Sequence, residues 1–250
     1  MRAMHISHGY GKNWRISEWD CLHRMMRGIK RVKGDKPGDA RLPVTALLLA
    51  RFHTCLLKPL RYDTLVVLAA MCMATYGLLR SGEFATCSRN RDPLKVEQAK
   101  LRKDYMTVSL KQSKTDPFRQ GVIIHIGETG TQTCPVKLVR SMLAERASRN
   151  GGKRPHPLEP LFQLSNGKAL DRKLLVLTLK KWCTTLGIES SRYNGHSFRI
   201  GGATSLAAAG VPDSIIQTLG RWKSDCFKIY IRLDKHDLHG YSKRMASHKA

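Results

Sequence analysis

The chain has 250 residues, 42% of them hydrophobic, enough to build a large domain around its own core and too many for global disorder. Lys and Arg number 44 against 19 Asp and Glu, a formal net charge of +25, and the basic residues run along the whole length and form no tail. Such a field suits nucleic acid, and it disfavours an anionic membrane surface because no basic amphipathic anchor stands out. The seven cysteines (Cys21, Cys55, Cys72, Cys87, Cys134, Cys183 and Cys226) are scattered, odd in number and form no CxxC pair. That pattern argues against a zinc site and a disulfide framework, and it points to a reducing compartment. The first residues, "MRAMHISHGYGKNW", lack the apolar run of a secretory signal. The longest apolar stretch, residues 65–79, falls short of the roughly 20 residues that a membrane span needs.

In chain order, Ser17 is the expected N-cap of a first helix, with Trp19, Leu22, Met26 and Ile29 on one face and Arg24, Arg27, Lys30 and Arg31 on the other. "KGDKPGDARL" reads as a linker. Pro43 suits a first helical position, so a second helix is expected through "VTALLLARFHTCLL". Asp63 or Thr64 is the expected cap of a buried helix over 65–79. Residues 106–111 and 121–126 are β-rich and flank the polar turn "QSKTDPFRQ", which predicts a small hairpin or sheet. Pro135 opens a helix to about Arg149, "NGGKRPHPLEP" is loop, and 172–186 is amphipathic helix. Three short helices are expected at about 197–209, 213–219 and 224–232. The fold class is therefore mainly α with a small antiparallel β-sheet or hairpin (α+β).

A few polar residues stand out against apolar surroundings. Arg80 follows the buried helix with Glu83 at i+3; Lys114 sits on the hairpin turn; "GHSFR" sets His196 and Arg199 one turn apart at a helix start. A helix start already offers free N–H groups and a partial positive charge, so a His and an Arg added there favour a phosphate. "GRWKSDCFKIYIR" adds Arg221, Trp222 and Tyr230. Singly, each is ordinary: a local ion pair, a solvated lysine, a structural histidine, a core aromatic beside Phe227. No Gly-rich phosphate loop and no carboxylate cluster accompany them, which leaves kinase and metal-nuclease readings without support.

Their combination and order are another matter. The stretches "GLLRSGE", "SKTDPFRQG", "GHSFRIGGAT" and "LGRWKSDCFKIYIR" resemble the tyrosine recombinase (phage integrase-like) family over about residues 42–240, in wording nearest the eukaryotic DIRS-type and Crypton-like transposon branch. The resemblance implies a tyrosine recombinase catalytic domain at 42–250, preceded by a linker at 35–41 and, at 1–34, the remnant of a helical core-binding domain. It implies that Arg80 and Arg199 clamp one scissile DNA phosphate, as paired guanidiniums do well. Lys114 would protonate the leaving 5′-oxygen, His196 would assist proton transfer, Glu83 would brace the site, and Tyr230 would attack phosphorus to give a 3′-phosphotyrosyl link. Tyr241 is the other late tyrosine and sits outside the matching segment. Where the family has His or Trp directly after the glycine matched by Gly220, this chain has Arg221 and then Trp222, and the sequence leaves open which of them supplies the donor.

The expected activity is site-specific DNA strand cleavage and rejoining, in recombination or integration of a mobile element, without metal or other cofactor. The expected partner is double-stranded DNA, bound by a homo-oligomer (a tetramer on paired sites), with no membrane and no small-molecule substrate, in the nucleus of a eukaryote. The alternative is a truncated or domesticated DNA-binding protein without catalysis. A type IB topoisomerase would share the chemistry, but the flanking segments are recombinase-like.

Overall fold

A computed structural model describes residues 20–33, 41–56, 61–88, 92–111 and 121–231. The chain divides into two units, 1–40 and 41–250. Within the first, helix α1 (Asp20–Lys33) exposes Arg24, Arg27 and Arg31 together with Met25 and Val32. Ser17 and Trp19 lie outside the described residues.

The second unit opens with an extended segment, and helix α2 spans Ala46–Leu56. Pro43 therefore does not start the helix as expected. The backbone N–H groups of Leu42 and Val44 donate to the carbonyls of Arg192 (3.1 Å) and Ser197 (2.9 Å), which holds 42–44 straight. Thr45 caps the helix instead, its Oγ1 accepting from Leu48 N at 3.2 Å. Helix α3 (Tyr62–Tyr76) is the buried core helix expected from its apolar run: every residue from Leu65 to Thr75 is buried. Each large apolar side chain so buried contributes about 1.5–3 kcal/mol relative to exposure. Its start differs from expectation. Arg61 occupies the N-cap without a side-chain cap, and the Asp63 carboxylate reaches across the sequence to Ser165, accepting from its N (2.6 Å) and Oγ (2.8 Å).

After α3 a single helical turn, α4 (Ser81–Phe84), precedes a 3-10 turn (Val96–Gln98) and a three-stranded antiparallel sheet. Its order is β1 (Ala99–Leu101), β2 (Tyr105–Leu110), β3 (Val122–Gly127). Met106, Val108 and Leu110 pair with Ile126, Ile124 and Val122 on the face toward the core, while Thr107 and Ser109 pair with His125 and Ile123 on the other. Of the hairpin or small sheet expected, the structure shows the sheet, with β1 as its third strand. The segment that joins β2 and β3, with Lys114, lies outside the described residues.

Helix α5 (Pro135–Arg149) packs on α3, and helix α6 (Arg172–Thr185) starts at an Asp171 cap that accepts from Lys173 N and Leu174 N. Helix α7 (Ser197–Ala208) also packs on α3. Here the paired glycines are a steric requirement: a Cβ on Gly201 would overlap the Val44 carbonyl, and one on Gly202 the Thr75 carbonyl. Helix α8 (Asp213–Gly220) and a 3-10 helix (Asp225–Tyr230) close the described chain, about where two of the three short helices were expected. The main core joins α2, α3, the sheet, α5 and α6; a smaller cluster of Leu78, Ala203, Ile216, Trp222 and Phe227 lies under the C-terminal elements.

Candidate active site

The junction between α3 and α4 sets one side of the site. Leu78 takes a left-handed backbone (φ 46°), one of two non-glycine residues among those described to do so; the other is Arg221 (φ 57°). Such conformations cost on the order of 1–3 kcal/mol each and persist where surrounding contacts over-determine them. Here those contacts are hydrogen bonds. The Leu78 carbonyl accepts from Arg199 Nη1 (2.6 Å) and from Arg221 Nη2 (3.1 Å), so both strained residues meet at one hydrogen-bonded junction.

Arg80 occupies the N-cap of α4. Glu83 turns back on it: Oε2 accepts from Arg80 N at 2.9 Å and Oε1 from Arg80 Nη1 at 3.0 Å. The same carboxylate accepts from Arg221 Nη2 at 3.0 Å. The Glu83 side chain is 6% exposed, and those of Arg80 and Arg221 are 20% and 12% exposed. The local Arg80–Glu83 pair read from the sequence is thus half of a larger junction.

Arg199 comes from the first turn of α7 and is 1% exposed. Its Nη2 donates to the Gly220 carbonyl, and its guanidinium carbon lies 4.1 Å from the centre of the Trp222 ring. Gly220 has no room for a side chain, because a Cβ would fall inside that ring. The two residues left open by the sequence therefore separate. Trp222 packs with Phe227 in the small apolar cluster and supports Arg199 by its face, a cation–π contact worth on the order of 2 kcal/mol when desolvated. Arg221 turns the other way, into the Arg80–Glu83 pair. Its Nε and Nη1 are buried with no hydrogen-bond partner, and burial pushes the guanidinium below its ordinary pKa range, against the pull of Glu83. Three guanidiniums are thereby held around one carboxylate and one carbonyl.

His196 stands at the N-cap of α7, its N–H donating to Asn194 Oδ1 at 2.9 Å. Burial and then the charges of Arg41, Arg172, Arg199 and Arg80 push its pKa below the ordinary histidine value, so the neutral imidazole is favoured. Tyr230 is the last residue of the C-terminal 3-10 helix, which the buried Phe227 anchors. The Tyr230 side chain and the whole of Lys114 lie outside the described residues. Among the described residues no cluster of His, Cys, Asp or Glu could hold a metal ion, and no helix is long and apolar enough to cross a membrane.

Sequence reasoning missed the carbonyls of Leu78 and Gly220 and the side chains of Arg41 and Arg172. A Gly two residues before a Trp was a usable signal for the Gly220 contact to Arg199; nothing in "YGLLR" foretells a left-handed Leu78.

The Phage integrase family model matches residues 55–236. No curated protein matches the chain in sequence. Among solved structures, the XerH site-specific recombinase bound to its palindromic difH substrate in a post-cleavage complex aligns with a TM-score of 0.61 at 16% identity, covering 83% of this chain and 54% of that one. XerH in its pre-cleavage complex with difH aligns at 0.57 and 17% identity, covering 81% and 54%. The XerA recombinase aligns at 0.61 and 16% identity, covering 99% and 81%. The chain thus spans about half the length of XerH, and these likenesses concern the fold: a mostly helical tyrosine recombinase catalytic domain with a small antiparallel sheet. By the extent of the family match, the chain belongs to the phage integrase family of tyrosine recombinases.

Proposed function

We propose that this chain cleaves and rejoins DNA strands at specific sites through a 3′-phosphotyrosyl intermediate on Tyr230. The observation that carries the reading is the gathering of Arg80, Arg199 and Arg221 around Glu83 and the Leu78 carbonyl, beside a His196 biased toward its neutral form. One carboxylate does not neutralise three guanidiniums, so the site favours an anion, and fixed cations stabilise charge that develops on phosphate oxygens.

In the proposed step the Tyr230 oxygen attacks phosphorus and its proton passes to His196. The bond from phosphorus to the 5′-oxygen breaks, and that oxygen takes a proton from Lys114. The new phosphotyrosyl ester conserves the energy of the broken bond, and reversal with another 5′-hydroxyl joins strands. Arg80 and Arg199 hold the nonbridging oxygens. Arg221, whose unpartnered Nε and Nη1 are donors in reserve, stands where relatives of this family carry His or Trp. Recombination or integration of a mobile element of the DIRS or Crypton type, in the nucleus, by a tetramer on paired double-stranded sites, is the biological setting proposed. XerH, solved with a DNA substrate before and after cleavage, supports DNA as the partner.

The test is a covalent-adduct assay. The chain is mixed with nicked duplexes drawn from the DNA that flanks its own coding sequence, and the mixture is denatured. Protein that stays on the DNA, and is lost in Tyr230→Phe, is expected; adduct that survives the substitution would remove Tyr230 from the mechanism.

A further inference from the structure

Two arginines outside the clamp converge on His196 from separate elements. Arg172 is the first residue of α6, its backbone N–H bonded to the Thr86 carbonyl at 2.9 Å. Gly195, directly before His196, lies between Ser81 and Arg172: a Cβ there would overlap the Ser81 side chain and come within ordinary contact, 3.4 Å, of Arg172 Nε. Arg41 arrives on the extended segment before α2, which the Leu42–Arg192 and Val44–Ser197 backbone bonds lace along the loop that leads into His196. Both side chains are exposed, and among the described residues neither has a carboxylate within ion-pair distance. Asp171, the nearest in sequence to Arg172, is committed to the N–H groups of Lys173 and Leu174. After burial, the charges of Arg41 and Arg172 bear on the imidazole more strongly than those of Arg199 and Arg80.

An exposed arginine is ordinarily a solvated one. Two that share one histidine, on backbones pinned by hydrogen bonds and without a counter-charge among the described residues, form a fork. We propose that Arg41 and Arg172 are a second anion site beside His196, which takes a backbone phosphate of the strand whose neighbouring phosphate Arg80 and Arg199 hold. The two phosphates would bracket the imidazole and set the register of the strand on it. The pair would act on binding and alignment and would be positioning residues, since neither touches the reacting atoms. The inference rests on the reading of the site as a DNA phosphate clamp.

The experiment uses the full chain and its Arg41→Gln, Arg172→Gln and double variants, with Arg→Lys counterparts as controls that keep the charge. Without DNA, the His196 ring is titrated by NMR: each Gln variant should move its pKa upward, and an unmoved titration would show that the guanidiniums do not face it. With a DNA duplex, the slope of log affinity against log salt should fall by about 0.9 in the double variant, which no longer neutralises that one phosphate, by less in each single Gln variant, and stay near wild type in the Lys variants. An unchanged slope would overturn the proposal, and so would a wild-type chain that binds no duplex. The adduct assay separates the two readings. Cleavage with an unchanged slope sinks the second site alone; a reduced slope in a chain that never forms adduct leaves the second site standing and sinks the catalytic reading.

Discussion

Replacing Glu83 by Gln tests whether one carboxylate holds the site together. Oε2 takes Arg80 N and Arg221 Nη2, and Oε1 takes Arg80 Nη1. A glutamine has one acceptor oxygen. If it keeps the Oε2 position, its amide NH2 faces the Arg80 guanidinium, donor against donor. The negative charge that partly offsets these guanidiniums disappears as well. Breaking a fully buried pair by removing one partner costs about 3–5 kcal/mol. Arg80 and Arg221 retain some solvent, at 20% and 12% exposure, so about 2–4 kcal/mol is the reasonable expectation. For a domain of this size that is a fall in Tm of roughly 4–16 °C. Urea unfolding should show a lower midpoint at unchanged m. Sulfate or inorganic phosphate should stabilise the variant more than the wild type, because either anion restores the missing charge. A loss under about 0.5 kcal/mol, or no extra gain from sulfate, would refute the hub role of Glu83.

Trp222→Ala removes the surface under Arg199 and a member of the small core, and should cost about 3–5 kcal/mol in urea unfolding while lowering adduct yield. Gly201→Ala drives a Cβ into the Val44 carbonyl and should cost more than about 2 kcal/mol, whereas Gly127→Ala, with nothing within 4 Å, should stay within about 0.5 kcal/mol; equal effects would mean that α7 does not approach the 42–44 segment as described. For His196 the folded pKa lies below the ordinary value of 6.5, so the unfolded chain binds the proton first as pH falls. Its contribution is therefore complete above about 6.5, is lost through the window beneath that value, and levels off below the folded pKa. The difference in stability between wild type and His196→Gln, measured at a series of pH values, should narrow on acidification in that window and stay flat above neutrality.

Much of the architecture can be read in advance because local signals and tertiary packing agree. Pro135 does open α5, the β-rich runs at 106–111 and 121–126 do become paired strands, and the apolar run over 65–79 does become most of the buried helix. The misses lie where a distant partner overrides a local rule. Pro43 is a good first helical residue, but Val44 N–H is bonded to the distant Ser197 carbonyl, and the segment stays extended. Asp63 is a good cap, but Ser165 takes its carboxylate. Strand β1, Ala-Lys-Leu, carries no β-branched residue and forms because β2 offers a free edge. At the site, the Arg80–Glu83 pair was legible. The division of labour between Arg221 and Trp222 was not, since it depends on a left-handed backbone at Arg221 that sends adjacent side chains to opposite sides.

The central claim is that the catalytic nucleophile is Tyr230. It is tested most directly by isolating the covalent protein–DNA adduct, digesting both polymers, and sequencing the peptide that retains a nucleotide by mass spectrometry. The account predicts a phosphodiester on Tyr230, with the nucleotide joined through its 3′ position. A nucleotide on Tyr241, on a serine, or joined through a 5′-phosphate would contradict it.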